Sequence, residues 1–158
     1  SRVRLRAATI GRVVDLGITD ASNMGAAMAP AACDTILTHL ADMGRGAEAY
    51  DRIVTGDLGR FGTEMLLSLC KERGLSIAER HMDCGSCIYA PAQDVKCGGS
   101  GCGCSAVTLA ALLLDELERG RTRRILFLAT GALLSPTAVL QGESIPGIAH
   151  AVVLEREA

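Results

Sequence analysis

The segment Ala106-Val107-Thr108-Leu109-Ala110-Ala111-Leu112-Leu113-Leu114 constrains the fold more than any other. It belongs to a helix expected over residues 102–119, and it is apolar nearly all round. A helix without a polar face is buried on every side. One sheet covers only one side of a helix, so this one calls for a sheet on each. The sequence therefore predicts that it is the most buried helix of the chain, and that a second sheet is missing.

The rest of the pattern supplies one sheet. Residues 3–16 are rich in β-branched side chains and read as strand, with a bend at Gly11. A helix is expected over residues 30–43, with Pro30 in its first turn, Cys33, Ile36, Leu37 and Leu40 on one face, and Gly44 as its stop. Residues 51–55 form a short strand that ends in the turn Gly56-Asp57-Leu58-Gly59. The next helix covers residues 62–73, with Met65, Leu66, Leu69 and Cys70 on one face and Gly74 after it. Residues 76–81 are a weak strand, 83–103 a long loop of the kind that tends to be functional. Strands over 124–130 and 148–155 complete the order βαβαβαββ. Such alternation predicts an α/β fold: a five-stranded, mostly parallel sheet with helices on both faces.

Composition narrows the function. The 158 residues fit one compact domain, and 49% are hydrophobic. There is no Trp, with two Phe and two Tyr, so the core rests on small and aliphatic side chains, and few aromatic platforms are left for nucleic-acid bases. Net charge is −2, and no basic cluster exceeds Arg121-Thr122-Arg123-Arg124, so no nucleic-acid partner is expected. The longest uncharged apolar stretch, residues 125–134, is well short of the ~20 residues a membrane span needs. The N-terminal segment has no signal-peptide core, lacks a Met and enters a strand at once, so a fragment or an excised domain is expected. Seven Cys, an odd number, read as free thiols in a reducing compartment.

Chemistry concentrates in Cys97-Gly98-Gly99-Ser100-Gly101-Cys102-Gly103-Cys104-Ser105, which leads into the apolar helix. A glycine-rich turn at a helix N-terminus offers backbone N–H groups to an anion. The alternative is that its glycines only permit close packing. A formal match to the dinucleotide fingerprint at Gly101–Ala106 is rejected, because no clear strand precedes it and no ribose-binding acid follows. Cys84 and Cys87 with Cys102 and Cys104 number four thiols, but the second spacing is atypical for zinc, and no structural metal is expected. Cys102 or Cys104 could act as a nucleophile with His150 as base, although a histidine starting an apolar strand is more often a packed one. His39 and His81 read as surface or edge residues. Asp57 follows a strand, where open α/β sheets bind ligands; its alternative is a cap of the next helix.

Several strings, taken together and in order, resemble the stage V sporulation protein AD family. They are Asp15-Leu16-Gly17-Ile18-Thr19-Asp20, Met24-Gly25-Ala26-Ala27-Met28-Ala29-Pro30-Ala31-Ala32, Tyr50-Asp51 with Thr55-Gly56-Asp57-Leu58, Asp83-Cys84-Gly85, the glycine loop from Gly98 to Ala106, the stretch from Thr130 to Pro136, and Ile145-Pro146 with Ile148-Ala149-His150. That family is thiolase-like, built of two pseudo-equivalent βαβαβαββ halves, and the resemblance implies that residues 1–158 are a C-terminal thiolase-like half-domain. Related condensing enzymes carry a His near the position of Gly56 and an Asn or His near that of Ser100; neither is present here. The resemblance therefore implies a non-catalytic protein that binds dipicolinic acid, alone or with calcium, for uptake into the developing spore, with no other cofactor. The alternatives are a ketoacyl-synthase-like or thiolase-like acyltransferase and a purely structural subunit. The implied partners are the N-terminal half, a second copy in a homodimer, and other stage V sporulation membrane proteins; the implied place is the inner spore membrane, as a peripheral protein. The expected ligand-binding residues are Gly56, Asp57, Gly99, Ser100, Gly101, Cys102 and His150, with the second wall of the pocket coming from the other half.

Overall fold

The computed structural model describes residues 2–157. Its core is a five-stranded sheet of order β1-β5-β4-β2-β3. The strands are β1 (Val3–Thr9), β2 (Arg52–Thr55), β3 (His81–Asp83), β4 (Arg124–Ala132) and β5 (Gly147–Arg156). β4, β2 and β3 pair in parallel, while β5 runs antiparallel to both β4 and β1. Four strands thus share one direction and β5 alone opposes them. β1 stops before Gly11, where a Cβ would lie 1.7 Å from the Ala149 carbonyl oxygen, and pairing resumes only as a bridge from Val14 to Gly147.

β4 shows why helices flank both faces. Leu126 and Leu128 point into one apolar cluster, with Met28, Ile36 and Leu66. Ile125 and Phe127 alternate into a second, with Leu113 and Leu117. Helices α1 (Met24–Met43) and α2 (Gly59–Glu72) cover the first face. The second is covered by one continuous helical run: α4 (Cys104–Thr108), a π-helical turn (Leu109–Leu113) and α5 (Leu114–Glu118). Short helices α3 (Cys84–Cys87) and α6 (Pro136–Leu140) lie in the connections.

Two expectations are corrected here. Helix α1 begins six residues before Pro30, not at it, because the Asn23 side chain caps it by accepting from the Ala26 N–H. Pro30 thus sits inside a helix whose alanine-rich first half is buried all round, against α2 and β5. At its other end Gly44 takes the left-handed conformation, φ 58°, and Arg45 N–H returns to the Leu40 carbonyl. The most buried helix is therefore α1, and the 104–118 run is not. Cys104, Thr108, Leu113 and Leu117 of that run face the sheet, and the π turn supplies the extra residue that brings Leu113 and Leu117 inward. Ala106, Val107, Ala110, Ala111 and Leu112 remain exposed, Val107 at 59%. The apolar face is real, but this chain does not cover it.

Candidate functional site

The carboxyl ends of β2, β3 and β4 lie on one rim of the sheet. The Gly56-Asp57 turn leaves β2 there, Asp83 ends β3, and Thr130 lies near the end of β4. The glycine loop crosses the same rim. Arg60 N–H donates to the Cys97 carbonyl at 2.9 Å, and Gly99 N–H to the Gly85 carbonyl at 2.7 Å. Such closeness requires glycine: a Cβ on Gly85 would lie 2.3 Å from the Gly99 oxygen, and Gly98 has φ 114°. Close packing thus explains Gly85 and Gly98, while a Cβ on Gly99 would meet only the Tyr89 and Ile88 side chains, at 3.3 Å and beyond.

Asp57 organises the rest. Its carboxylate accepts from the Ser100 hydroxyl at 2.9 Å, the Gly101 N–H at 3.1 Å and the Thr130 hydroxyl at 3.3 Å. Two donors expected to meet a ligand anion, Ser100 Oγ and Gly101 N–H, are thus directed at Asp57. Capping of α2 falls to a residue outside the expected set. Buried Asp83 accepts from Leu58 N–H at 2.8 Å, Gly59 N–H at 2.9 Å, Thr55 Oγ1 at 2.8 Å and Ser86 N–H at 3.1 Å. One carboxylate thereby ties the ends of β2 and β3 to the starts of α2 and α3. Its sequence signal was its place between a strand and Cys84-Gly85, in one of the strings that carry the resemblance noted above.

Two open cavities meet at Asp57 and Ser100. The larger, about 360 Å³, is lined by Met24, Met28, Cys102, Thr130 and Gly131 beside those two. The smaller, about 150 Å³, adds Asn23, Gly59 and Gly99. Neither has a Lys or Arg in its lining. Of the expected residues, Asp57, Gly99, Ser100, Gly101 and Cys102 come together here. Gly56 lies beneath, its carbonyl 3.8 Å from Cys104 Sγ, and a Cβ at Gly56 would stand 2.6 Å from Thr130 Oγ1. His150 stands apart. It is exposed on β5 opposite Ala129, with β4 between it and the Gly56-Asp57 turn, and its Nδ1 accepts from Gly11 N–H at 3.0 Å. Met24, Met28 and Thr130 join the lining without having been expected there.

The thiols divide into buried Cys33, Cys70, Cys84 and Cys104 and exposed Cys87, Cys97 and Cys102. Burial pushes the Cys84 thiol up to about 12, with the Asp83 carboxylate adding to it, and raises Cys104 in the same way. Burial thus disfavours the thiolate form of both. Among the described residues no helix is long and apolar enough to cross a membrane.

Fold and rim together define an α/β domain with an acidic, hydroxyl-lined cleft at the carboxyl ends of its parallel strands. A family model for stage V sporulation protein AD (SpoVAD) matches residues 1–155. The stage V sporulation protein AD of Bacillus subtilis (strain 168) is 50% identical over 154 residues, which are 98% of this chain and 46% of that protein. The chain belongs to the stage V sporulation protein AD family and spans about half the length of the curated relative it matches.

Proposed function

We propose that this chain is the second, thiolase-like half of a non-catalytic sporulation protein that binds dipicolinate as its calcium complex. On this reading the protein serves uptake of that ligand into the developing spore, from a peripheral position on the inner spore membrane. Family membership supports the sporulation role. The observation that carries the ligand chemistry is the Asp57 carboxylate, held by Ser100, Gly101 and Thr130 beside a cavity lined by no cation. A bare dianion would be repelled there. A calcium ion would offset both charges, and a carboxylate with two hydroxyls is the hard oxygen set that calcium takes. Ligand carboxylates would complete its coordination.

The same rim favours binding over acyl condensation. Where related condensing enzymes carry a His, Gly56 has no room for a Cβ unless Thr130 moves. Where they carry an Asn or His, Ser100 is bonded to Asp57. Neither cavity then has a His in its lining to serve as the base those enzymes use. Titration calorimetry of the intact protein with dipicolinate, in calcium and in chelator, tests the reading. Binding is expected in calcium and should weaken in chelator. No heat in either condition would leave a structural subunit with a vestigial cleft. A stoichiometric thioester on Cys102 after incubation with acyl-coenzyme A would restore the acyltransferase alternative.

A further inference from the structure

Helices α1 and α2 run side by side in a fixed register. Near their starts Gly25 meets Gly62, where a Cβ on Gly62 would lie 2.8 Å from Gly25 Cα. Eight residues further along each helix, Cys33 meets Cys70, with Sγ to Sγ 3.6 Å. The separation along the chain is 37 residues at the cysteine pair, and the glycine pair repeats it. The two thiols are therefore placed by a rigid helix contact, on facing sides of one core.

They are not equivalent. Cys70 is fully buried and donates its S–H to Cys33 Sγ. Cys33 lines a cavity of about 210 Å³ together with Pro30, Asp34, Leu69, Arg12 and Arg73. The bond from Cys70 holds the Cys33 thiol below its usual range, with the Arg73 charge acting in the same direction and burial, Asp34 and Glu72 opposing it. The cavity thus leads a small reactant to the member of the pair that is better prepared to react, and the second thiol waits behind it.

We propose that Cys33 and Cys70 form a reversible oxidation site, in which hydrogen peroxide reaches Cys33 through this cavity and Cys70 closes a disulfide between α1 and α2. The Cys33 sulfur, having lost its proton, attacks one peroxide oxygen. The S–O bond forms, the O–O bond breaks, and the departing hydroxide takes up that proton as water. The Cys70 sulfur then attacks the sulfenic sulfur. The S–S bond forms, the S–O bond breaks, and hydroxide leaves as water with the Cys70 proton. Two thiols lose two electrons and the peroxide gains them. The sulfurs must close by about 1.6 Å to reach disulfide length.

The site does not depend on the ligand proposed above, but it bears on the cleft, because Met24 and Met28 of α1 and Gly59 of α2 line the cavities there. To test it, the intact protein is first treated under native conditions with N-ethylmaleimide, which consumes the exposed thiols Cys87, Cys97 and Cys102. Hydrogen peroxide is then added, and tryptic peptides are mapped by mass spectrometry. The expected product joins the peptide containing Cys33 to that containing Cys70, is released by dithiothreitol, and raises the thermal midpoint until reduced. In Cys70→Ala, Cys33 should instead be trapped by dimedone as the sulfenic acid. Should that variant fail to fold, mapping of the unsubstituted protein decides alone. Maleimide on Cys33 in the native protein, a link from Cys84 to Cys104 in its place, no link at all, or a link that forms only in denaturing urea would each overturn the proposal.

Discussion

Ser100 donates its hydroxyl to the Asp57 carboxylate at 2.9 Å, bridging 43 residues of chain. This bond and its neighbour from Gly101 N–H pin the glycine loop to the end of β2. The loop approaches the rim with few apolar contacts of its own, since Ser100, Gly101 and Cys102 are exposed. Asp57→Ala should therefore cost about 1–2 kcal/mol of stability, less than a fully buried charged network would. It should speed amide exchange at Gly101 while leaving β4 and β5 protected. Urea denaturation with exchange mass spectrometry reads both, and unchanged exchange at Gly101 would mean that the loop is held by other contacts.

The cleft makes a separate demand. Ser100→Phe places an aromatic ring where both cavities meet, at an exposed position that tolerates bulk. The intact protein carrying it should still fold, losing no more stability than Asp57→Ala does through the missing Ser100 hydroxyl, and show no dipicolinate binding by calorimetry. Retained binding would move the ligand elsewhere. The isolated chain should bind weakly or not at all, because both cavities are open on this side and good sites enclose most of their ligand.

Asp83 predicts a larger effect. It is 3% exposed and serves five donors, two of them backbone N–H groups at the start of α2. Asp83→Ala leaves those donors buried without an acceptor and should cost about 3–5 kcal/mol. Asp83→Asn keeps one acceptor and should lose about half as much. Chemical denaturation midpoints measure both, and a loss below about 1 kcal/mol for the alanine variant would mean that water replaces the carboxylate.

The helix crossing gives a prediction with its own control. A Cβ at Gly25 would lie 2.2 Å from the Leu58 carbonyl oxygen, which is backbone and cannot swing away. Gly25→Ala should then destabilise by about 1–3 kcal/mol through forced separation of α1 and α2. Gly103 has φ −95° and nothing within 4 Å of its Cβ, so Gly103→Ala should change stability by less than about 0.5 kcal/mol. Equal effects at the two sites would refute the close-approach account.

These residues also mark what the sequence could and could not reveal. Strand and helix order was legible because β4, β5 and α2 keep their periods, and the glycine loop and Asp57 were legible because they sit where chain direction reverses. The start of α1 was not. Pro30 is a good first-turn residue by local rules, and only packing of the alanine run against α2 and β5 carries the helix back to Asn23. The π turn was equally hidden, since one inserted residue in an all-apolar helix leaves no trace in polarity. His150 was grouped with Asp57 because both lie at strand ends, but which strands are neighbours is decided by tertiary pairing, and β4 stands between them. His39 was read as a surface or edge residue, since nothing in the local sequence names a buried partner for its ring. It is completely buried, its Nδ1 2.7 Å from Thr9 Oγ1 and its Nε2 2.7 Å from Tyr50 Oη.

That burial makes stability depend on pH. Desolvation lowers the His39 pKa, against a smaller opposite pull from Asp42, and lowers His81 likewise, against Asp83. Above the unfolded value of about 6.5, both histidines are neutral in either state and their contribution is fully present. As pH falls below it, the unfolded chain takes up protons that the folded chain resists. The unfolded state then binds more protons, and stability declines until pH passes below the folded values. Each histidine contributes at most about 1.4 kcal/mol per pH unit in that window. The carboxylates held low by their partners, such as Glu155 beside Arg124, add their own loss only in stronger acid. Melting midpoints between about pH 7.5 and 5 should therefore fall for the unsubstituted protein. His39→Gln should melt lower at the upper pH, having lost a fitted imidazole, but with a shallower decline. If its decline is as steep as that of the unsubstituted protein, the acid sensitivity belongs to His81 or to other groups, and His39 takes up its proton without unfolding the chain.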